Sequence, residues 1–418
     1  MVTRRAHPAV PLFLVLAVAC GGKDVPAVPA EEAPIIADQP VVTSGQLDED
    51  STLGAEERPE AVGLSPEGHP SPDDGSPSTS SPVTEIVPID DRCVSDPSPQ
   101  FTHAYTDLDQ IEFINPTIVT SGNWLKNRQY HKIVTDADNR APLVPVYAPL
   151  DATAVGITHY IGTMQSWEGE ILELSQFYIR FEVSCEVAFW FDHLSELVGP
   201  FAAVTPEDPV RDTRDAEVPI QIEVQGGDLV GYTSGTEPAH TWDFVLVNDS
   251  NTVQFANQAR YEQSADLEHL LRAACPFDYY DEPLRSQFRS KFGSWQGHVD
   301  DSDCDFEVDV VGSIAGGWFL TPFDPAGGFA PIDWGFVVKT GADGAVDLNG
   351  PQSSIRTLLE SPTFADPKTV TGEHCYEDYH REIRYVYVRV LSDSEVAAAF
   401  GDGVCPASLP ANHQVFHR

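Results

Sequence analysis

The stretch "EPAHTWDFVLVND" (residues 237–249) places a histidine and an aspartate three residues apart at the start of a predicted strand. His240 and Asp243 are both residue types that bind zinc, which in proteins takes histidine nitrogens and carboxylate oxygens. A zinc ion with three protein ligands and an open position lowers the pKa of a bound water, which can then attack an amide bond. The same two residues could instead be ordinary polar side chains at a sheet edge.

The elements that must position these residues are β-strands. The segments with an alternating or β-branched pattern are, in chain order, "VPVYAPLDATAVGITHYI", "FYIRFEVS", "EVAFWFDHL", "IQIEVQGGDLVGYTSG" and "WDFVLVN". Short strands with turn residues between them predict an all-β unit over residues 117–251, of the sandwich or barrel kind.

The periodicity changes after this unit. In "SADLEHLLRAAC" (residues 264–275) Ser264 can cap a helix, and three leucines at positions 267, 270 and 271 fall on one helical face. From residue 304 to 405 the strand pattern returns, most clearly in "FEVDVVGSIAGGWFL", "WGFVVKTG" and "REIRYVYVRVL". The predicted fold class is therefore mainly β: a β-sandwich or barrel domain, one connecting helix and a smaller C-terminal β domain.

Two features of the C-terminal part concern its surface. Aromatic residues among glycines could line a glycan-binding surface, although such residues are more often core; they are Trp318, Phe319, Phe323, Phe329 and Trp334. In "DDSDCDFEVDV" (residues 300–310) acidic and apolar residues alternate, which predicts a strand with a solvated acidic face that includes Asp309.

The first 92 residues are not predicted to belong to a folded domain. Residues 1–19 have a basic start and an apolar run, as in a secretory signal peptide, and "AVAC", which ends at Cys20, resembles the lipobox of bacterial lipoproteins. Gly21 follows in place of the aspartate of inner-membrane retention signals, which favours the outer membrane. Residues 21–92 contain eleven prolines, sixteen acidic residues and no aromatic residue, so they are predicted to form a disordered tether.

Composition limits the partners and the compartment of the protein. The formal net charge of −41 argues against nucleic acid and against an anionic membrane surface as partners. An even number of cysteines in an exported protein predicts up to three disulfides, with the pairing left open. The candidates are Cys93, Cys185, Cys275, Cys304, Cys375 and Cys405.

Four of the segments, in this order, resemble the M23 (lysostaphin-like) metallopeptidase family. They are "VPVYAPLDATAVGI", "AFWFDHLSEL", "GGDLVGYTSG" and "TWDFVLVN", where family members have "pVyAp.dGtVv.i", "Y.HL", "aGq.IG..G" and "HLHFEV". The resemblance covers a little over a quarter of the chain. It implies a β-sandwich-like catalytic fold, a zinc ion, and the cleavage of peptide cross-bridges in bacterial cell walls.

Measured against the family pattern, the implied zinc site is incomplete. His193 in "FDHL" matches the catalytic histidine, whereas "TWDF" places Thr241 at a second catalytic histidine and Asp243 at a zinc ligand. Threonine cannot act as a proton shuttle near neutral pH. His240 lies one residue too early and would need a β-bulge to point into the site.

The upstream ligands implied by the resemblance are also irregular. "YHKIVTD" offers His131 and Asp136, five residues apart where the family keeps four, so on a strand they would face opposite sides. If zinc is bound at all, its ligands would be His131, Asp136 and Asp243, with His193 as a catalytic residue or its vestige. We expect no bound cofactor, with zinc as the alternative.

We therefore expect a lipoprotein of the bacterial cell envelope whose M23-like domain is not catalytic and binds or scaffolds cell-wall or envelope components. The alternatives are a divergent zinc endopeptidase acting on peptidoglycan cross-bridges, and a surface carbohydrate-binding or adhesion module. The expected partners are the membrane, through the N-terminal lipid, and peptidoglycan or a glycan, with the outer membrane as location. The expected segments are a signal peptide (1–19), the lipidated cysteine and tether (20–92), the M23-like β domain (93–262), a helical connector (263–290) and the C-terminal β domain (291–418).

Overall fold

The structure is a computed structural model that describes residues 93–418 apart from 117, 167–169, 212–215, 296, 299–303, 305, 326–332, 351–353 and 379–383. The signal peptide, Cys20 and the acidic tether lie outside the described residues. No helix in the described part of the chain is long and apolar enough to cross a membrane.

The first part of the described chain consists mainly of strands. In chain order they are β1 (Ile111–Asn115), β2 (Val119–Ser121), β3 (Trp124–Lys126), β4 (Gln129–Ile133), β5 (Val144–Tyr147), β6 (Ala152–Gln165), β7 (Ile171–Glu182), β8 (Val187–Leu194), β9 (Glu196–Leu197), β10 (Val210–Arg211), β11 (Val218–Val224), β12 (Leu229–Thr233) and β13 (Thr241–Asn248). The five segments predicted as strands overlap β5 to β8 and β11 to β13, so this part of the prediction is confirmed.

Most of these strands form one sheet, which we call the large sheet. Its order is β1-β4-β13-β8-β7-β6-β10, and β11 also pairs with β6. A smaller sheet, β5-β12-β9, and the hairpin β2–β3 complete this part. Alternate residues of a strand face the same side of a sheet. One face of the large sheet therefore carries fully buried aromatic side chains, which are Phe189 and Phe191 of β8 and Trp242 and Phe244 of β13. This core face packs against Val146 and its neighbours in the same apolar cluster.

The helices are short. They are α1 (Gly199–Val204), α2 (Gln258–Glu262), α3 (Ala265–Leu271) and α4 (Leu284–Arg289), with 3₁₀ turns at Leu108–Gln110, Pro276–Tyr279 and Pro367–Thr369. The predicted connecting helix is α3: Ser264 is its N-cap residue, and its leucines are buried on one face. The flanking helices α2 and α4 were not predicted, because five or six residues are too few to show a helical period.

A second β part follows the helices. Its strands are β14 (Gly293–Ser294), β15 (Gly297–His298), β16 (Gly316–Phe319), β17 (Trp334–Thr340), β18 (Val346–Asn349), β19 (Ser354–Thr357), β20 (Glu373–Glu377), β21 (Arg384–Ser392), β22 (Glu395–Asp402) and β23 (Gln414–His417). β14 and β15 form a hairpin, and the others form one antiparallel sheet of order β19-β18-β17-β16-β23-β22-β21-β20. This sheet curls until its two edge strands meet, since the Thr357 hydroxyl on β19 donates to the Glu377 carbonyl on β20. Trp318, Phe336 and Phe416 pack inside it.

A further apolar cluster lies between the two β parts. It contains Leu125 of β3, the leucines of α3 and Trp334 of β17. An ion pair adjoins it: Nη2 of Arg418 lies 3.0 Å from Oδ1 of Asp309. Oδ2 of Asp309 accepts a hydrogen bond from the Ala256 backbone N–H at 3.1 Å. Apolar packing and buried charge therefore connect the C-terminal sheet to the helical segment.

Two predictions for the C-terminal part can be compared with the structure. The strand predicted over residues 306–310 is wrong, because these residues form no strand. Asp309 is buried rather than solvated, since Arg418 compensates its charge. Among the aromatic residues, Trp318, Phe319 and Trp334 are buried in core, and Phe329 lies outside the described residues.

The six cysteines from residue 93 onwards form disulfides, as predicted from their even number. The pairs are Cys93–Cys185, Cys275–Cys304 and Cys375–Cys405. The first ties the start of the described chain to the turn between β7 and β8. The third joins β20 to the segment between β22 and β23.

Candidate functional site

A row of polar side chains crosses the large sheet on the face opposite its core face. Tyr160 on β6 is the register partner of Gln176 on β7. On the neighbouring strands, Asp192 on β8 pairs with Asp243 on β13, which in turn pairs with Tyr130 on β4. Direct cross-strand partners lie on the same face, so the strand register brings these side chains together. The polar row consists of Tyr160, Gln176, Asp192, His193, Asp243, Arg128 and Tyr130.

His193 belongs to the row because of a β-bulge. Where β7 has the single residue Tyr178, β8 has two residues, Asp192 and His193. His193 has a φ of 65°, a left-handed value that is uncommon outside glycine. The bulge turns His193 to the same side as Asp192, although adjacent residues of a regular strand face opposite sides.

The imidazole of His193 lies between a polar pair and two carboxylates. Its Nδ1 is 3.0 Å from Oε1 of Gln176 and 3.1 Å from the Tyr160 hydroxyl. Its Nε2 is 3.5 Å from Oδ2 of Asp243 and 4.0 Å from Oδ2 of Asp192. When Nδ1 carries the ring proton and donates it to Gln176, Nε2 presents its lone pair to the carboxylates. Among the described residues, Asp192, His193 and Asp243 are the group whose potential metal-ligand atoms lie within 4.8 Å of one another.

Arg128 supplies the positive charge of the row. Its Nη1 donates to Oδ2 of Asp243 at 2.5 Å, with the Arg128 side chain 15% exposed and that of Asp243 1% exposed. Burial disfavours the charged guanidinium, but the carboxylates of Asp243 and Asp192 raise the pKa of Arg128 overall. Arg128 is therefore always positively charged, and it forms a hydrogen-bonded ion pair with Asp243.

The two aspartates differ in how their oxygens are satisfied. Oδ1 of Asp192 accepts hydrogen bonds from the Tyr160 hydroxyl at 2.7 Å and from the His193 backbone N–H at 2.8 Å. Oδ1 of Asp243 is buried and has no hydrogen-bond partner among the described residues. Asp243 thus retains the capacity to bind a further donor or cation.

His131, a sequence-predicted metal ligand, lies on the core face of the sheet. It is the register partner of Trp242 rather than of Asp243. Its Nδ1 lies 3.0 Å from the Gln129 carbonyl and its Nε2 lies 2.5 Å from the Tyr105 hydroxyl. Burial lowers the pKa of His131 to about 4. The structure therefore places it as a hydrogen-bonded neutral core residue.

Asp136 and His240 are not brought to the polar row either. Asp136 is exposed, and its Oδ1 accepts the backbone N–H groups of Asp138 and Arg140, both at 2.9 Å. These bonds, that of Arg140 foremost, lower the pKa of Asp136. His240 has a φ of 51° just before β13, and burial, with the nearby Lys132, lowers its pKa. Of the three predicted metal ligands, the structure places only Asp243 beside His193.

The spacing of the three ligand atoms can be compared with that of a zinc site. Ligand atoms bound tetrahedrally to zinc are about 3.4 Å apart. The 3.5 Å between His193 Nε2 and Asp243 Oδ2 agrees with this value, and the 4.0 Å to Asp192 is slightly longer. The guanidinium of Arg128 does not agree, because it lies on the same Oδ2 that a metal would need and two cations repel at this distance. With Arg128 in this position, the site does not fit a zinc ion.

The sequence did not identify Asp192 or Arg128 as site residues. In a regular strand Asp192 and its neighbour His193 would face opposite sides of the sheet, and only the bulge brings them to the same side. Arg128 is 115 residues from Asp243, and no local spacing indicates that they meet. The contact depends on the pairing of β4 with β13, which lie far apart in the chain.

Comparisons with known proteins give little further information. No protein-family model matches the chain, and no curated protein matches it. Among solved structures it is similar to the NMR solution structure of lysostaphin, with 10% sequence identity, a TM-score of 0.20, and coverage of 75% of this chain and 90% of that chain. A TM-score this low does not establish a shared fold.

Proposed function

We propose that this chain is a lipid-anchored protein of the bacterial cell envelope whose first β part is M23-like but is not a working peptidase. It binds or scaffolds cell-wall components. The observation that carries this proposal is the ion pair between Arg128 and Asp243, 2.5 Å long and almost completely buried. Asp243 stands where the resemblance puts a zinc ligand, and here it is neutralised by a guanidinium.

Two features, the ion pair and Thr241, argue against metal-dependent hydrolysis. A catalytic zinc needs ligands with free lone pairs and an open coordination position. Oδ2 of Asp243 instead accepts a hydrogen bond from Arg128, whose guanidinium fills the space beside it. Thr241, at the position of a second catalytic histidine in the resemblance, offers no proton shuttle near neutral pH.

Metal analysis of the purified full-length protein tests the non-catalytic part of the proposal. We expect zinc well below one equivalent per chain after dialysis, and no clearing of a suspension of bacterial cell walls. One equivalent of zinc that disappears in Asp243→Ala, together with clearing activity, would overturn it. His193→Ala provides a second control, because any clearing that persists in this variant does not come from the polar row.

A sedimentation assay tests the binding part. The full-length protein in detergent is mixed with insoluble peptidoglycan and, in parallel, with an insoluble neutral polysaccharide. We expect the protein to sediment with peptidoglycan and not with the polysaccharide. Retention by neither material would reject the scaffold function, and retention by the polysaccharide would favour the carbohydrate-binding alternative.

The zinc endopeptidase alternative is supported by one observation, the approach of Asp192, His193 and Asp243 to within 4.8 Å of one another. It requires Arg128 to move away from Asp243 when a metal binds. The metal analysis described above separates it from the proposed function.

The envelope location rests on the sequence of the first twenty residues. If Cys20 is lipidated, the full-length protein fractionates with membranes and Cys20→Ala becomes soluble. Equal fractionation of the two proteins would contradict the lipid anchor and leave the site chemistry unaffected.

A further inference from the structure

We infer that Arg128 is a built-in substitute for a divalent cation, and that removing its guanidinium creates a zinc site formed by Asp192, His193 and Asp243. This inference rests on the proposed function and extends it, because it identifies the residue that keeps metal out. It differs from the metal site implied by the sequence resemblance, since it includes Asp192 and leaves out His131 and Asp136.

The first support is the arrangement of charge. Asp192 and Asp243 are direct register partners with side chains 4% and 1% exposed. Two carboxylates this close and this buried need a cation between or beside them. Arg128 provides one to Asp243 at 2.5 Å.

The second support is that Asp243 and Arg128 each keep a buried polar atom without a hydrogen-bond partner among the described residues. Oδ1 of Asp243 is buried without a hydrogen-bond partner among the described residues, and so is Nε of Arg128. A guanidinium and a carboxylate can form two parallel hydrogen bonds, but here they form one. The guanidinium therefore satisfies Asp243 incompletely, and a metal ion could bind either carboxylate oxygen.

The third support is the orientation of His193. Oxygen atoms of Gln176 and Tyr160 lie 3.0 Å and 3.1 Å from Nδ1, which leaves Nε2 directed at the two carboxylates. Histidine ligands of metals commonly donate the N–H of the other ring nitrogen to an oxygen in this way. One nitrogen and two carboxylate oxygens form a set that suits zinc.

The test compares the full-length wild type with Arg128→Met, which keeps the length and volume of the side chain without its charge. After dialysis against zinc and then buffer, we expect Arg128→Met to retain one more zinc per chain than the wild type. Its melting temperature should rise with zinc concentration, while that of the wild type stays constant. Cobalt(II) should give visible absorption bands with the variant only.

Two kinds of control define the site. Arg140→Met removes an exposed arginine that pairs with Asp138, and it should bind no more zinc than the wild type, which accounts for adventitious binding to this acidic chain. In the Arg128→Met background, Asp243→Asn and His193→Gln should each abolish the additional zinc. Zinc retained in these double variants would overturn the inference.

The outcomes also distinguish this inference from the proposed function. If the wild type already holds one zinc that Asp243→Ala removes, both fail. If neither wild type nor Arg128→Met binds zinc, the inference fails and the proposed function stands. If Arg128→Met is unfolded without zinc, it should refold when zinc is added, because the metal replaces the missing positive charge of Arg128. A variant that stays unfolded with zinc present would count against the inference.

Discussion

Asp192 and Asp243 are direct cross-strand partners, so two buried carboxyl groups lie side by side on one face of the large sheet. Like charges in this position destabilise a sheet unless a cation compensates them. Arg128 does so through Asp243, and hydrogen bonds from Tyr160 and from the His193 backbone hold Asp192. The stability of the polar row should therefore depend on Arg128.

Replacing Arg128 with methionine in zinc-free buffer should lower the free energy of unfolding by about 3–5 kcal/mol, because it leaves a buried carboxylate without its partner. Urea denaturation followed by circular dichroism measures this change. Arg128→Met/Asp243→Asn should recover most of the loss, since it removes both charges. Arg140→Met, at an exposed ion pair, should have almost no effect. Equal losses in the single and double variants would contradict the coupling of Arg128 to Asp243.

Asp309 should make the protein less stable as the pH rises from about 4 to about 6. Burial raises its pKa from 3.8 to about 6, although Arg418 opposes this. Below the unfolded-state pKa both states are protonated, and above it ionisation favours the unfolded state until the folded-state pKa is passed. The contribution lost across this window is roughly 3 kcal/mol. The unfolding free energy of the wild type relative to Asp309→Asn should fall between pH 4 and 6.5, and a constant difference would contradict the prediction.

His131 should have the opposite pH dependence in the same window. Burial lowers its pKa from 6.5 to about 4. As the pH falls from 6.5, the unfolded chain takes up a proton at this residue and the folded chain does not, so stability is lost until the pH passes the folded-state pKa. We expect His131→Gln to lose less stability than the wild type on acidification from pH 7 to 4.5. Parallel curves of unfolding free energy against pH for the two proteins would show that His131 does not titrate in this way.

The disulfide pairing can be tested by peptide mapping under non-reducing conditions. We expect the cross-linked peptides Cys93–Cys185, Cys275–Cys304 and Cys375–Cys405. Replacing both cysteines of the third pair with serine should lower the unfolding free energy by about 2–4 kcal/mol, because the open chain gains conformational entropy when it unfolds. Any other pairing in protein exported to the periplasm would contradict the positions of these cysteines in the structure.

Much of the fold could be predicted from the sequence because alternation is a local property. The pattern "WDFVLVN" placed β13 correctly, and the leucines of α3 were correctly assigned to one buried face. The prediction failed at "FEVDV", which alternates but forms no strand. There Asp309 is paired with Arg418, more than a hundred residues away, and a buried ion pair of this kind leaves no local pattern.

The sequence alone determined that the chain is mainly β, that its six later cysteines could form disulfides, and that Asp243 is a candidate metal ligand. The tertiary structure alone decided which residues surround Asp243. Strand pairing brings Arg128 to it across 115 residues, and a bulge turns Asp192 and His193 to the same face. Periodicity predicts which residues of one strand share a face, but the register between distant strands depends on the packing of the whole sheet.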